Sequence, residues 1–261
     1  MIAVRVPVTR LHASLRCAMT AATDLLLPPA CNFCACQLPP LAKQPLLCST
    51  CRQSFTSQDR PVCRRCAAPV SPVNTGEDCP RCRDHRYHFD AVVAMGIYQE
   101  KLRDAVIKMK QRAHEPLTLS MGVLLADTLD ARFGRTRPDV IAPIPTHWLK
   151  RIRRGVNGPD LLVEGIESRW NLPMLPDLLI CRRRTQKQGT LMPAERLANV
   201  RNAFSVKRGY DIGNAHILVV DDIMTTGATA SEAARTLRAA GATRVTVAVV
   251  ARGVGLSQRT G

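Results

Sequence analysis

Aromatic side chains are scarce in this chain: two Trp, three Tyr and five Phe among 261 residues. Few rings means few platforms on which bases can stack, so any contact with single-stranded nucleic acid must run through phosphate and weaken with salt. Acidic residues are short as well, 21 Asp and Glu against 37 Lys and Arg, and the formal charge of +16 draws polyanions. No apolar run approaches the ~20 residues of a membrane-spanning helix. No secretory signal is apparent, so the expected compartment is the reducing cytoplasm.

Cysteine is abundant, with 11 in the chain. Eight form four CxxC pairs: Cys31/Cys34, Cys48/Cys51, Cys63/Cys66 and Cys79/Cys82. The pattern is two consecutive ribbons, CxxC-x13-CxxC then CxxC-x12-CxxC, each able to bind one structural zinc through four thiolates. A disulfide framework would need an oxidising compartment and would leave Cys17, Cys36 and Cys181 over. Sequential ribbons are the simplest pairing, and a cross-brace would interleave them. Cys36 is a rival ligand beside Cys34, while His85 and His88 read as solvated loop histidines. Zinc would supply the folding energy of a segment too small to hold itself by burial. Before it, Leu11, Leu15, Met19, Ala22 and Leu26 recur at helical spacing and predict an amphipathic helix ending at Pro28-Pro29.

From Phe89 the pattern turns to alternating strands and helices, an α/β signature. Strands are expected at Ala91 to Tyr98, Val140 to Ile144, Ile217 to Val220 and Val245 to Val250, and helices around Leu102 to Met109 and Met121 to Thr128. Three units follow: residues 1–30 as the helix, 31–88 as the double zinc ribbon and 89–261 as the α/β body.

The chemistry concentrates at Ile217 to Thr229, ILVVDDIMTTGAT. An uninterrupted β-branched and leucine run suits an inner parallel strand covered on both faces, and open α/β sheets bind ligands at the carboxyl ends of their strands. Asp221 and Asp222 follow the run. Thr225, Thr226, Gly227, Ala228 and Thr229 then form a small turn into a helix with Ala230, Ala233, Ala234 and Leu237 on one face, ending near Gly241. A glycine there permits close ligand approach, and helix-start N–H groups cradle phosphate. Taken alone, two aspartates before TTG would also suit a helix cap or a metal site; the whole pattern reads as a site for phosphoribosyl diphosphate (PRPP), the acids meeting ribose hydroxyls. Most of the positive charge lies in residues 91–214, in the clusters Lys150, Arg151, Arg153, Arg154 and Arg182, Arg183, Arg184, Lys187. These are either a solvated basic face or the compensating charge that PRPP phosphates need, with Lys150 and Arg184 as candidate contacts.

This segment resembles the type I phosphoribosyltransferases. The resemblance implies a parallel sheet flanked by helices, with Thr225 to Thr229 on the 5-phosphate and Asp221 and Asp222 at the ribose 2- and 3-hydroxyls. It further implies Pro145 to Lys150 as a diphosphate turn, and Gln188 to Ala194 as a loop that closes over the ligand. Arg151-Ile-Arg153-Arg154-Gly155-Val156-Asn157, Arg182, Thr185, Gln188, Glu195-Arg196, Asn199 and Ala203-Phe204 resemble the ComF/GntX family over nearly the whole chain. Where that family often reads RGFNQ, this chain has RGVNG, with Val156 and Gly158 in place of an aromatic and an amide. The family implies a zinc module and a role in uptake or use of external DNA. Two functions are therefore expected. One is a phosphoribosyltransferase binding PRPP with Mg2+, Asp221 and Asp222 being catalytic. The other is a non-catalytic accessory protein that binds single-stranded DNA, or a DNA-uptake helicase or recombination mediator, through its basic face and ribbons.

Overall fold

The computed structural model describes residues 28–56, 61–71, 79–134, 136–145, 158–183 and 193–253. The expected N-terminal helix lies outside them up to residue 27, as do Cys17, Lys150, Arg184, most of the diphosphate turn and most of the closing loop.

Among the described residues, four parallel strands form the main sheet: β1 (Ala91–Ile97), β2 (Val140–Pro143), β5 (His216–Met224) and β6 (Arg244–Arg252), in the order β1-β6-β5-β2. A separate antiparallel pair, β3 (Leu179–Cys181) and β4 (Phe204–Val206), lies between β2 and β5 in the chain. The helices are α1 (Ser49–Thr56), α2 (Pro80–Asp84), α3 (Glu100–Lys108), α4 (Glu115–Phe133), α5 (Gly158–Trp170), α6 (Pro193–Val200) and α7 (Ala228–Ala239).

Period-two alternation sorts the strand residues to two cores. Val92, Ala94, Ile217, Val219, Val245, Val247 and Val249 face one side, where Ala230, Ala233, Ala234 and Leu237 of α7 pack on them. Val93, Met95, Leu218, Val220, Ala248 and Val250 face the other, against α3, α4 and α5. Each ribbon joins a different core. Cys31, Leu38, Leu47, Cys51 and Phe55 pack with the α3–α5 side, whereas Cys63, Cys66, Cys79 and Cys82 pack with the α7 side. The cysteine module thus straddles the sheet and shares its apolar interior with the body.

One consequence positions the site. After β2 the chain feeds α5 on one face, and after the adjacent β5 it feeds α7 on the other. Neighbouring parallel strands whose following helices go to opposite faces leave a crevice at their carboxyl ends. The β5 strand also runs past the expected Val220 to Met224, because β6 stays paired with it as far as Met224 opposite Arg252. On the other edge β2 stops at Pro143 opposite Val220, and Ile144 N–H makes the last bond, to Val220 O at 2.8 Å.

Helices α4 and α5 cross at two glycines. A Cβ on Gly165 would sit 2.5 Å from Leu119 O and 2.8 Å from Gly122 Cα, both backbone. Gly165→Ala is therefore expected to force the helices apart, lowering stability by ~1–3 kcal/mol through overpacking despite the ~1 kcal/mol that alanine gains in helix propensity. A thermal melt at or above the parent's would show that the crossing tolerates the methyl.

Candidate functional site

Asp221 and Asp222 sit in the crevice, still within β5 but beyond the end of β2. Asp222 N–H, with no strand of the described residues opposite it on that edge, donates to Asp221 Oδ1 at 2.8 Å. Burial, then the negative charge of Asp222 beside it, pushes the Asp221 carboxyl well above the usual carboxylate range. Lys110 Nζ reaches Asp222 Oδ2 at 3.6 Å from the turn just after α3. Nothing in the sequence signals that Lys110 meets the acidic pair.

The loop Thr225 to Thr229 follows at once. Gly227 takes φ 82° and ψ 5°, a left-handed conformation that favours glycine, and starts α7 by accepting Ser231 N–H on its carbonyl at 2.8 Å. Thr226 Oγ1 accepts Ala228 N–H at 3.4 Å. The first turn of α7 holds no acidic residue, so the positive end of its dipole faces the crevice unopposed. The crevice thus brings together two carboxylates, one ammonium and a helix start with hydroxyls, an arrangement able to hold a phosphorylated polyol.

The loop is held from beneath. Tyr87 donates its hydroxyl to Thr226 O at 3.0 Å and stacks on Phe89 at 4.7 Å between ring centres. Burial pushes that hydroxyl up to about 12, which keeps it a donor. Its ring carbon Cε1 lies 3.0 Å from where a Cβ on Gly227 would be. Arg252, at the end of β6, donates to Met224 O at 2.9 Å and to Thr225 O. Sequence reading missed both residues. An arginine closing the apolar run VTVAVVA was the available signal for the second.

The eight ribbon cysteines fall into two groups, Cys31, Cys34, Cys48, Cys51 and Cys63, Cys66, Cys79, Cys82, with the four sulfurs of each within 4.8 Å of one another. The pairing is sequential, and the cross-brace is ruled out. Sulfur separations of 3.8 Å for Cys34 to Cys48, 3.8 Å for Cys63 to Cys82 and 3.5 Å for Cys66 to Cys79 suit the ~3.8 Å edge of a tetrahedron built on ~2.3 Å Zn–S bonds. The ribbons repeat each other's backbone. Ala35 and Ala67 are both left-handed, φ 60° and 52°, and donate N–H to Cys31 O and Cys63 O, each at 2.8 Å. Cys36 is exposed beside Cys34 and Cys48 but stands outside the first group, and neither His85 nor His88 joins the second. Four thiolates close the shell, so these zincs are structural.

The expected basic contacts, Lys150 and Arg184, lie outside the described residues. Arg183, which is described, donates to Arg201 O at 2.6 Å and Ala198 O at 3.4 Å, covering the carbonyl end of α6. Among the described residues no helix is long and apolar enough to cross a membrane.

Two family models match this chain: the Double zinc ribbon domain at residues 22–83 and the Phosphoribosyl transferase domain at residues 179–257. The chain is 30% identical over 205 residues to DNA utilization protein YhgH of Escherichia coli (strain K12), covering 77% of this chain and 88% of that one. It is 29% identical over 211 residues to Competence protein F of Haemophilus influenzae, covering 79% and 90%. A solved glutamine PRPP amidotransferase from B. subtilis overlaps 56% of this chain and 26% of its own at 21% identity and a TM-score of 0.34. With the parallel sheet and the cysteine groups, the two family models make the fold that of a phosphoribosyltransferase domain carrying a double zinc ribbon.

Proposed function

Because this chain belongs to the ComF/GntX family of DNA utilization and competence proteins, we propose that its crevice binds PRPP with Mg2+ and transfers phosphoribose to an acceptor with loss of diphosphate. The observation that carries this reading is the shared position of the acidic pair and the Gly227 loop at the point where the helices after β2 and β5 diverge. In it, the N–H groups and hydroxyls of Thr225 to Thr229 bind the 5-phosphate. Asp221 and Asp222 accept the ribose hydroxyls and favour the positive charge that develops at the anomeric carbon. Lys110 stands 3.6 Å from Asp222 and lies within reach of a ligand phosphate. Lys150 and Arg184 are assigned to the leaving diphosphate, whose negative charge Mg2+ would help to neutralise. The ribbon thiolates require a reducing compartment, which supports a cytoplasmic protein.

Calorimetry tests the reading: PRPP is expected to bind at micromolar to millimolar affinity with Mg2+ and more weakly without it. No heat and no thermal stabilisation at millimolar Mg-PRPP would sink it.

The names of the relatives and the +16 charge favour a second activity on the same chain, binding of single-stranded DNA during uptake, with a helicase or recombination mediator as protein partner. With so few aromatics, this binding is expected to fall steeply with salt. Removing Arg182, Arg183 and Arg184 together should flatten the log–log slope by ~0.7 for each phosphate that is no longer neutralised. Arg183→Ala alone should leave the slope in place, because that guanidinium is held by α6 carbonyls. A salt-independent affinity would locate the binding elsewhere.

A further inference from the structure

Arg252 is 0% exposed and heads the largest side chains wholly inside the protein. Its Nε donates to Cys66 O in the second ribbon at 2.8 Å. Its Nη1 donates to Met224 O at 2.9 Å, to Gly253 O at 2.5 Å and to Thr225 O. Nη2 finds no acceptor among the described residues. Every acceptor is a neutral carbonyl, yet a buried guanidinium needs a counter-charge. Among the described residues no carboxylate is a hydrogen-bond partner of it, and the second cysteine group adjoins it through Cys66. Four thiolates around Zn2+ carry two net negative charges, which makes that cluster the matching counter-ion.

The same ribbon leads into a second contact with the loop. Tyr87, shortly after α2, bonds Thr226 O and packs its ring under Gly227. Thr225, Thr226 and Gly227 are thus held in succession by contacts that lead back to the second ribbon. The first ribbon's bonds go elsewhere: Asn32 to Pro116 O and Ser120, and Phe33 O to Lys108 on α3.

We propose that Arg252 is a positioning residue that couples the second zinc ribbon to the ligand loop: the tetrathiolate cluster holds the guanidinium, and the guanidinium fixes the carbonyls of Met224 and Thr225. Loss of metal from the second ribbon then loosens residues 225–228, and loss from the first does not. Only the identity of the ligand rests on the PRPP reading. The coupling stands or falls without it.

The test uses the full-length, zinc-loaded chain and two measurements, hydrogen exchange of the amides of residues 225–228 without ligand and calorimetry with Mg-PRPP. Arg252→Lys keeps the charge, but one ammonium cannot span the ribbon carbonyl and the loop carbonyls as the guanidinium fork does. It is expected to retain two zinc equivalents while those amides exchange about tenfold to a hundredfold faster, the scale of one charge-assisted hydrogen bond. Amides at the α4–α5 crossing should be unchanged. Cys79→Ser should reproduce the effect and Cys48→Ser should not. PRPP affinity should fall in parallel. Loop exchange equal to the parent's in Arg252→Lys, or equal in Cys79→Ser and Cys48→Ser, would overturn the coupling. If Cys79→Ser does not fold, Arg252→Lys decides alone. A parent that binds no PRPP but shows this exchange pattern loses the functional reading and keeps the coupling.

Discussion

Serine in place of Cys63, Cys66, Cys79 or Cys82 is expected to lower bound zinc from two equivalents per chain to one, with a large loss of stability. A structural zinc contributes ~10–16 kcal/mol of apparent binding free energy in small peptides, more than the whole stability of most domains. Here the loss spreads, because these four cysteines are all buried in one core with Tyr87, Phe89 and the α7 alanines. Replacements in the first group should also remove one equivalent but cost less, since Cys34 is exposed and Cys48 only half-buried. Cys36→Ser and Cys181→Ser should leave two equivalents. Elemental analysis with thermal melts checks this ordering. A parent with one equivalent would remove one of the two ribbons as a metal site.

Both centres were visible in the sequence for the same reason: each is made by residues close together in the chain. CxxC spacing sets two sulfurs on one turn, and the run from Ile217 through Gly227 to Leu237 writes a buried strand, a left-handed glycine and an alanine face in order. The sequence understated β5. Acidic residues look like a strand ending, but the ladder to β6 continues to Met224 and holds Asp221 and Asp222 extended.

What supports the site was not legible, because it comes from far away in the chain. Tyr87 meets Thr226 across 139 positions and Arg252 meets Cys66 across 186. No periodicity encodes such a contact, and a lone arginine after the run VTVAVVA reads as an ordinary strand end at the surface. The division at residue 88 suggested a ribbon module beside a body, whereas the structure puts one ribbon into each core of the sheet. Apolar residues within a ribbon do not say which face they will cover. The role given to Lys110 by its contact with Asp222 was hidden in the same way, since in the sequence it is one more lysine.

The acidic pair yields the other large effect, and its two members should behave differently. Asp221 has its folded-state pKa raised, by burial first and by Asp222 second, so the folded protein binds a proton that the unfolded chain, with a carboxyl near ~3.9, has already released. Stability from this group therefore falls as pH rises from the unfolded value through the raised folded value, and the whole cost is present above it. Asp221→Asn removes that cost. The ligand-free variant is expected to melt above the parent at neutral pH, at ~2–4 °C per kcal/mol recovered, and to converge with it in acid. Mg-PRPP at a hundredfold excess over its Kd should stabilise the parent by ~2.7 kcal/mol. That shift should shrink in Asp221→Asn and nearly vanish in Asp222→Asn, since an amide keeps the shape but loses the charge and half the acceptors that ribose hydroxyls use. Gly227→Val adds a backbone penalty of ~1–3 kcal/mol for a non-glycine held in a sparsely populated conformation, with φ 82° here and Tyr87 Cε1 3.0 Å from the new Cβ. It should melt lower and show no shift. If Asp222→Asn and Gly227→Val are stabilised as much as the parent, the ligand is bound away from this crevice. If Asp221→Asn is no more stable than the parent at neutral pH, burial of its carboxylate carries no cost.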